Sequence, residues 1–247
     1  MSVLKDCLPV VLGPITNIIN CSFSTSTHPD DWNQVEVIPL LKDGDHEVAL
    51  NNRSLSLLNV VSKISERALP NQFNSYLTRN KWLNSHQSGS KKQHSTEILN
   101  LLITDHLINA IENKKLSALK VQLITQKAFD SISHAILVKK LSEFGASYET
   151  VKYFESYLTY RVQKVRIGSS SSVALPITHG VPQGAILSPL LFCINTNDLP
   201  TVTNTCNLNW FVDDSKISLL FYIDEISEAK HTLETDLRLV PECCCKY

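Results

Sequence analysis

Two adjacent aspartates, Asp213 and Asp214, lie between two short apolar segments whose composition is typical of β-strands. These segments, residues 208–212 and 216–220, predict a β-hairpin that presents both carboxylates at its turn. Two neighbouring carboxylates repel each other strongly when they are removed from water, and a divalent cation such as Mg²⁺ relieves that repulsion. A solvated acidic turn explains the same pattern, so the pair by itself leaves both interpretations open.

A second segment that could take part in binding or catalysis is G-V-P-Q-G-A-I-L-S-P-L-L-F at residues 180–192. Two glycines flank a proline and the amide of Gln183, which indicates a rigid loop whose backbone can approach a ligand closely. The apolar residues that follow predict a buried helix. A purely structural turn is the alternative, although it does not explain an amide between two glycines.

Helices are predicted on both sides of these segments. Ser95 or Thr96 can cap the first of them. Its apolar stripe comprises Ile98, Leu101, Leu102, Ile108 and Ile111. Three more are predicted at residues 133–144, 148–159 and 226–240. Gly145 is expected to end the first of these three in a left-handed conformation, and Pro241 is expected to close the last.

Strand patterns occur between the helices. Residues 35–41, 120–124 and 162–167 predict strands, and a serine-rich loop leads from the last of them to a hairpin partner at residues 173–177. Helices that are mixed with hairpins, without strict βαβ alternation, favour an α+β fold.

The composition restricts the class of protein only broadly. Of 247 residues, 43% are hydrophobic and 19% are charged, which is ordinary for a globular protein. The formal net charge of −1 provides no strong overall field for nucleic acid, although a basic groove can occur on a neutral protein. The seven cysteines lack zinc-ligand or disulfide-framework spacing. Because no signal peptide or membrane-spanning stretch is found, we expect a soluble, intracellular protein without a membrane partner.

Several motifs, in order, resemble those of the reverse transcriptases of non-LTR (LINE-type) retrotransposons. The G-V-P-Q-G block, followed about 20 residues later by F-V-D-D, resembles the family's G-V-P-Q-G-x-x-L-x-P-L-L-F and F-x-D-D. The other similar segments are N-N-R-S-L-S-L-L (51–58), S-K-I-S-E-R (62–67), Q-S-G with H-S-T-E (87–97), K-A-F-D-S-I (127–132), and S-Y-L with Arg161 and Gln163 (156–163). The resemblance covers about residues 15–245.

This resemblance implies a right-hand polymerase fold and RNA-directed DNA polymerase activity. It implies that Asp213 and Asp214 bind the Mg²⁺ ions that activate the primer 3′-hydroxyl group and neutralise the leaving pyrophosphate. It places Gln183 near the incoming deoxynucleoside triphosphate and the template. Phe129 would lie beneath the sugar, where the volume of its ring excludes a 2′-hydroxyl group.

The same resemblance implies the partners and the subdomains. Arg53, together with Lys42, would pair with the triphosphate, and an RNA template and a DNA primer would be the nucleic-acid partners. Residues 1–45 would form an N-terminal extension, 46–119 the fingers, and 120–247 the palm with a helical insertion at about 133–160. The chain ends before the last palm segment of the family, so we expect no thumb. The oligomeric state is not indicated.

One position departs from the family at the expected metal site. The family reads D-L-S-K-A-F-D, and its first aspartate is a metal ligand, whereas Ile124 stands at that position here. Asp130 matches the second aspartate and is not expected to reach the metal ions. Because about 1.4 kcal/mol corresponds to tenfold in rate, losing one of three ligands predicts a loss on the order of a thousandfold or more.

Smaller departures, such as Val212 in place of a small residue before the two aspartates, agree with a degenerate domain. We therefore expect weakened Mg²⁺ binding and lost catalysis. An active polymerase domain and a non-catalytic nucleic-acid-binding remnant of a retroelement are the alternatives.

Overall fold

A computed structural model describes the backbone at residues 6–89, 94–112, 117–124, 129–212 and 214–244, and the side chains of these residues except 117–124, 214 and 241–244. The chain forms two compact units, each built from two separate segments. Unit 1 comprises Met1–Asn71 and Ser133–Ser188, and unit 2 comprises Gln72–Ile132 and Pro189–Tyr247. The boundaries of the fingers and palm that the family resemblance implies stay a prediction.

Helices and strands are mixed along the described chain, as the α+β prediction requires. The helices, in chain order, are α1 (Leu8–Ser24), α2 (Val60–Arg79), α3 (Thr96–Glu112), α4 (His134–Glu143), α5 (Tyr148–Leu158), α6 (Ser188–Asn195) and α7 (Ile226–Cys244). The strands are β1 (Gln34–Leu41), β2 (Asn52–Leu57), β3 (Ser117–Ile124), β4 (Val162–Ile167), β5 (Ser170–Ser171), β6 (Leu175–Pro176), β7 (Asn207–Phe211) and β8 (Asp214–Phe221). Short 3₁₀ helices lie at Asp30–Asn33, Ala49–Asn51, Leu199–Thr201 and Ile223–Glu225.

The sheet of unit 1 has the strand order β2-β1-β4-β5, with β6 also paired to β4. β1 is antiparallel to β2 and parallel to β4. Alternation along β1 buries Val35 and Val37, which join Leu58 and Ala185 in a small apolar core. The predicted strands at 35–41 and 162–167 and the hairpin that follows the second are therefore confirmed, apart from end positions.

Local capping explains where α4 ends and where α5 begins, both close to the positions that the sequence predicted. Gly145 has a φ of 69°, and its N–H donates to the Ser142 carbonyl. The Ala146 N–H donates to the Leu141 carbonyl, which completes a Schellman motif at the end of α4. The Ser147 hydroxyl then accepts a hydrogen bond from the Thr150 N–H at 3.3 Å and caps α5.

The sheet of unit 2 has the order β3-β8-β7, with both pairs antiparallel. The apolar face of its hairpin packs against α7. The core comprises Leu199, Cys206, Leu208, Trp210, Ile217, Leu219, Phe221, Ala229, Leu233 and Val240. This packing holds the hairpin that carries the aspartate pair.

Two predictions about helices were wrong. α7 continues through Pro241 to Cys244, because a proline removes one backbone hydrogen bond but does not oblige a packed helix to end. The stripe predicted for α3 is exposed, with Leu101 at 69%, whereas Leu99, Ile103 and Ala110 are buried. This helix is apolar on several sides, so its composition does not identify the buried side.

Within the described residues, no helix combines the length and apolar composition needed to cross a membrane.

Candidate active site

The predicted hairpin around the aspartate pair is confirmed by the pairing of β7 with β8. Phe211 pairs with Asp214, so only Val212 and Asp213 separate the paired positions. Asp213 lies outside the described residues. Asp214 is the first residue of β8, and its backbone is therefore positioned by the central strand of the unit 2 sheet.

The position with the missing carboxylate lies directly across from Asp214. Ile124 is the last residue of β3 and pairs with Asp214 in the antiparallel ladder of β3 and β8. Residues opposite each other in such a ladder have Cα atoms about 4.5–5.5 Å apart. The aspartate hairpin therefore lies beside the strand that ends at Ile124.

The residue types at this end of the β3 and β8 strands fit a Mg²⁺ site only in part. Mg²⁺ accepts one or two carboxylates together with substrate phosphates, and Asp213 and Asp214 can supply two. An isoleucine side chain contains no ligand atom, so position 124 cannot supply a third. Among the residues whose side chains are described, no group of three His, Cys, Asp or Glu could hold a metal ion.

The residue before the aspartates has a strained backbone. Val212 has a φ of 55°, a left-handed conformation that is a genuine outlier for a β-branched residue. Its backbone also has a close neighbour, because a Cβ atom placed on Gly89 would lie 2.9 Å from the Val212 nitrogen. The turn therefore combines an unfavourable φ angle with tight packing on one side.

The Q-S-G segment lies beside β7 in unit 2. The Ser88 N–H donates to the Trp210 carbonyl at 2.9 Å, and the Trp210 N–H donates to the His86 carbonyl at 3.1 Å. The Gln87 side chain is fully buried and accepts a hydrogen bond from the Gly89 N–H at 2.7 Å. The motif thus braces the hairpin, a role that the sequence did not suggest.

Phe129 packs against α6 in the same unit. Its ring centroid is 5.1 Å from that of Phe192, and the ring is half-buried. This contact fixes one side of the ring that the sequence placed beneath the sugar. Asp130, which follows it, is exposed.

Lys42 and Arg53 lie at one end of the β1–β2 ladder in unit 1. Arg53 pairs with Leu40, and the Lys42 N–H extends the ladder by donating to the Asn51 carbonyl at 2.8 Å. Because side chains alternate along a strand, Lys42 and Arg53 share one face of this ladder. Both are exposed, and neither forms an ion pair with a described residue. Together they provide two unneutralised cations on one surface.

The glycine-flanked loop at residues 180–184 is held against β2. Gly180 and Gly184 have φ angles of 82° and 108°, which explains the two glycines. The Gln183 carbonyl accepts a hydrogen bond from the Ser56 N–H at 2.8 Å. The His134 ring donates through Nε2 to the Gly180 carbonyl at 2.7 Å. The prediction of a constrained loop followed by a helix is confirmed.

A buried carboxylate behind this loop was missed by the sequence interpretation. Glu66 is fully buried, and its Oε2 accepts a hydrogen bond from the Ile186 N–H at 2.7 Å. Burial raises the pKa of the Glu66 carboxyl above its ordinary value, although backbone N–H donors and the charge of Arg161 oppose that rise. The motif S-K-I-S-E-R was noted for its resemblance alone, and spacing could not show which of its residues turns inward.

Residues 42–246 match the reverse transcriptase (RNA-dependent DNA polymerase) family. The chain belongs to this family. The predicted resemblance to non-LTR retrotransposon reverse transcriptases is thereby confirmed, since the similar proteins described next come from mobile elements.

Several reverse transcriptase relatives are similar over most of the chain. It is 32% identical over 212 residues to a probable RNA-directed DNA polymerase from transposon BS of Drosophila melanogaster, covering 85% of this chain and 23% of that protein. It is 29% identical to the RNA-directed DNA polymerase from mobile element jockey of the same organism, with 84% and 22% covered. The type-1 retrotransposable element R2 Pol polyprotein of Popillia japonica is 26% identical, with 80% and 27% covered.

The chain thus spans about a quarter of the length of these reverse transcriptase relatives. Among solved structures, an apo telomerase from Candida tropicalis, truncated from its C-terminal domain, has a similar fold. The TM-score is 0.55 at 13% identity, and the similarity covers 82% of this chain and 46% of the telomerase chain. At that identity the likeness concerns the fold alone.

Proposed function

We propose that this reverse transcriptase domain performs template-directed nucleotidyl transfer only weakly, because it lacks one of three metal-binding carboxylates. The observation that carries the proposal is the backbone pairing of Ile124 with Asp214. That pairing puts a residue type without ligand atoms next to a carboxylate that the family resemblance makes a metal ligand. The three-stranded sheet of unit 2 would then be the catalytic part of the palm in a right-hand fold.

In this proposal Asp213 and Asp214 retain the metal-binding role. Mg²⁺, when bound there, supplies stabilisation for the negative charge that develops at the transferring phosphoryl group. Without a third carboxylate, the two aspartates hold the cation less firmly and repel each other more. The expected substrates are deoxynucleoside triphosphates, with an RNA template and a DNA primer.

The remaining site residues would bind and select the nucleotide. Arg53 and Lys42, exposed on one face of the β1–β2 ladder, would contact the triphosphate. Gln183 would contact the incoming nucleotide and the template from its constrained loop. Phe129, backed by Phe192, would exclude a 2′-hydroxyl group by its volume.

Primer extension with an RNA template, a DNA primer and Mg²⁺ or Mn²⁺ tests the proposal. The unmodified chain is expected to extend the primer on the order of a thousandfold more slowly than Ile124→Asp, in line with several kcal/mol of lost metal stabilisation. Ile124→Asn is the matched control, because it has nearly the shape of aspartate without the charge, and it should not restore extension. Equal rates for the unmodified chain and Ile124→Asp would contradict the proposed impairment.

A non-catalytic nucleic-acid-binding role is the second candidate. It is favoured by the exposure of Lys42 and Arg53, which does not depend on the residue at position 124. Binding of a labelled RNA–DNA duplex that weakens steeply with salt, while Ile124→Asp also fails to extend a primer, would support this candidate over the first.

A further inference from the structure

Two sequence motifs that the proposed function leaves without a role meet in one buried polar cluster in unit 1. Glu66 comes from S-K-I-S-E-R, and Tyr157 and Arg161 come from the S-Y-L segment and its continuation. All three are at most 1% exposed. We propose that Glu66 is a positioning residue for the loop that carries Gln183, and that Tyr157 and Arg161 hold Glu66 in place. The nucleotide-binding consequence rests on the proposed function.

Glu66 joins α2 to the end of the loop. Its Oε2 accepts the Ile186 N–H at 2.7 Å and, more weakly, the Leu187 N–H at 3.4 Å. These two amides precede α6, where the positive end of the helix dipole favours a carboxylate. One side chain of α2 therefore fixes the backbone only three residues after Gln183.

The other tethers of the loop act at different points. The His134 ring holds the Gly180 carbonyl, and the Ser56 N–H holds the Gln183 carbonyl at 2.8 Å. The Ser188 hydroxyl donates to the Pro182 carbonyl at 2.8 Å. All three donate to carbonyl groups of the loop, whereas Glu66 accepts hydrogen bonds from its N–H groups. Without it, the two amides at 186 and 187 would lose these hydrogen bonds.

The cluster restricts the carboxylate to one orientation. The Tyr157 hydroxyl donates to Glu66 Oε1 at 3.3 Å. Arg161 donates through Nη1 to the Asn33 side chain at 3.1 Å and to the Tyr157 carbonyl at 2.8 Å. Its guanidinium lies 4.7 Å from the centre of the Tyr157 ring. Arg161 thus fixes the ring and provides a positive charge that attracts Glu66.

Hydrogen exchange of the loop amides is the decisive measurement. In Glu66→Ala, exchange at Ile186 and Leu187, relative to amides of α1 in the same unit, should rise about tenfold, because their acceptor is gone. Glu66→Gln, whose amide oxygen can still accept, should return exchange close to the unmodified value. Leu141→Ala, a fully buried change in α4, is the control for general destabilisation and should not raise this ratio.

An unchanged ratio in Glu66→Ala would overturn the proposal. If Glu66→Ala does not fold, Tyr157→Phe replaces it, since that change removes the hydroxyl donor and keeps the ring. It should raise the same ratio by a smaller factor, about threefold, and no rise would overturn the proposal.

Kinetics separate the positioning role from the proposed function. In an Ile124→Asp background, Glu66→Ala should raise the KM for nucleotide about tenfold more than Leu141→Ala does, with a smaller effect on kcat. If that background shows no polymerase activity, the proposed function fails while hydrogen exchange still decides the positioning role. Raised exchange with an unchanged KM would overturn the inference that the loop is positioned for nucleotide binding.

Discussion

At the residue scale, Val212 has a side chain that does not suit the backbone conformation it adopts. A left-handed conformation costs an ordinary L-residue about 1–2 kcal/mol, and β-branching makes it worse. Val212 nevertheless adopts a φ of 55° immediately before the aspartate pair. The pairing of Phe211 with Asp214 closes the turn around this residue, and the Gly89 segment packs closely against its backbone. A strained φ angle persists only where such surrounding structure supports it.

Val212→Gly should therefore stabilise unit 2. Relief of the left-handed strain outweighs the extra unfolded-state entropy of glycine, so the free energy of unfolding should rise by about 0.5–1 kcal/mol. Val173→Gly, at an exposed valine without a positive φ, should lower it instead. Denaturant unfolding of both variants measures the difference. A loss of stability in Val212→Gly as large as in the control would show that the valine is not strained.

At the scale of elements, Asp236 attaches the start of β7 to α7. Its buried carboxylate accepts hydrogen bonds from the backbone N–H groups of Asn204, Thr205 and Cys206 at 3.1, 3.1 and 2.8 Å. Burial alone would raise the pKa of Asp236, but these donors reverse the effect and leave the pKa below its ordinary value. The carboxylate thereby sets where the aspartate hairpin begins.

Asp236→Asn should lower the free energy of unfolding of unit 2 by about 1.5–3 kcal/mol, because the amide has no charge and only one of its two terminal atoms can still accept a backbone hydrogen bond. The folded pKa is lowered, so this contribution is complete above the unfolded pKa of about 4 and disappears as the pH falls through the folded value. Glu234→Gln, an exposed change in the same helix, is the control and should have little effect. The difference in free energy of unfolding between the unmodified chain and Asp236→Asn should be smaller at pH 3 than at pH 7. The same difference at both pH values would contradict the lowered pKa of Asp236.

At the scale of the whole molecule, the two units contain acid-sensitive groups with different pH windows. Burial, aided by the charge of Arg161, lowers the pKa of His28 in unit 1 to about 3. The unfolded chain then binds a proton near pH 6.5 that the folded chain does not, so stability is complete above pH 6.5 and falls as the pH drops toward 3. Glu66 acts oppositely, because its raised pKa means that acidification removes an unfavourable buried charge.

Unit 1 should therefore lose the His28 contribution at a higher pH than unit 2 loses that of Asp236. Between pH 7 and pH 4.5, His28 should account for a loss of about 3 kcal/mol. The stability difference between the unmodified chain and His28→Gln isolates this contribution from that of Glu66. Trp32, whose ring contacts His28, is the fluorescent probe for unit 1. His231→Gln is an exposed change in unit 2 and should not alter how the free energy of unfolding depends on pH. The same pH dependence in His28→Gln as in the unmodified chain would refute the prediction.

The sequence by itself determined the elements whose causes are local. The Gly145 ending of α4, the span of α5 and the hairpin before Asp214 depend on neighbours within a few residues, so pattern and turn chemistry predicted them. The ordered motifs also identified the family, because each motif is contiguous. The substitution at Ile124 was visible for the same reason.

Only the tertiary structure decided which apolar side of α3 is buried and that Glu66 turns inward. Glu66 meets partners 91 and 120 positions away in the chain. A buried carboxylate is tolerated only where such distant donors converge, and no local pattern records that convergence. The same holds for Ile124, whose residue type was evident from the sequence, whereas its pairing with Asp214 depends on the register between β3 and β8, strands far apart in the chain.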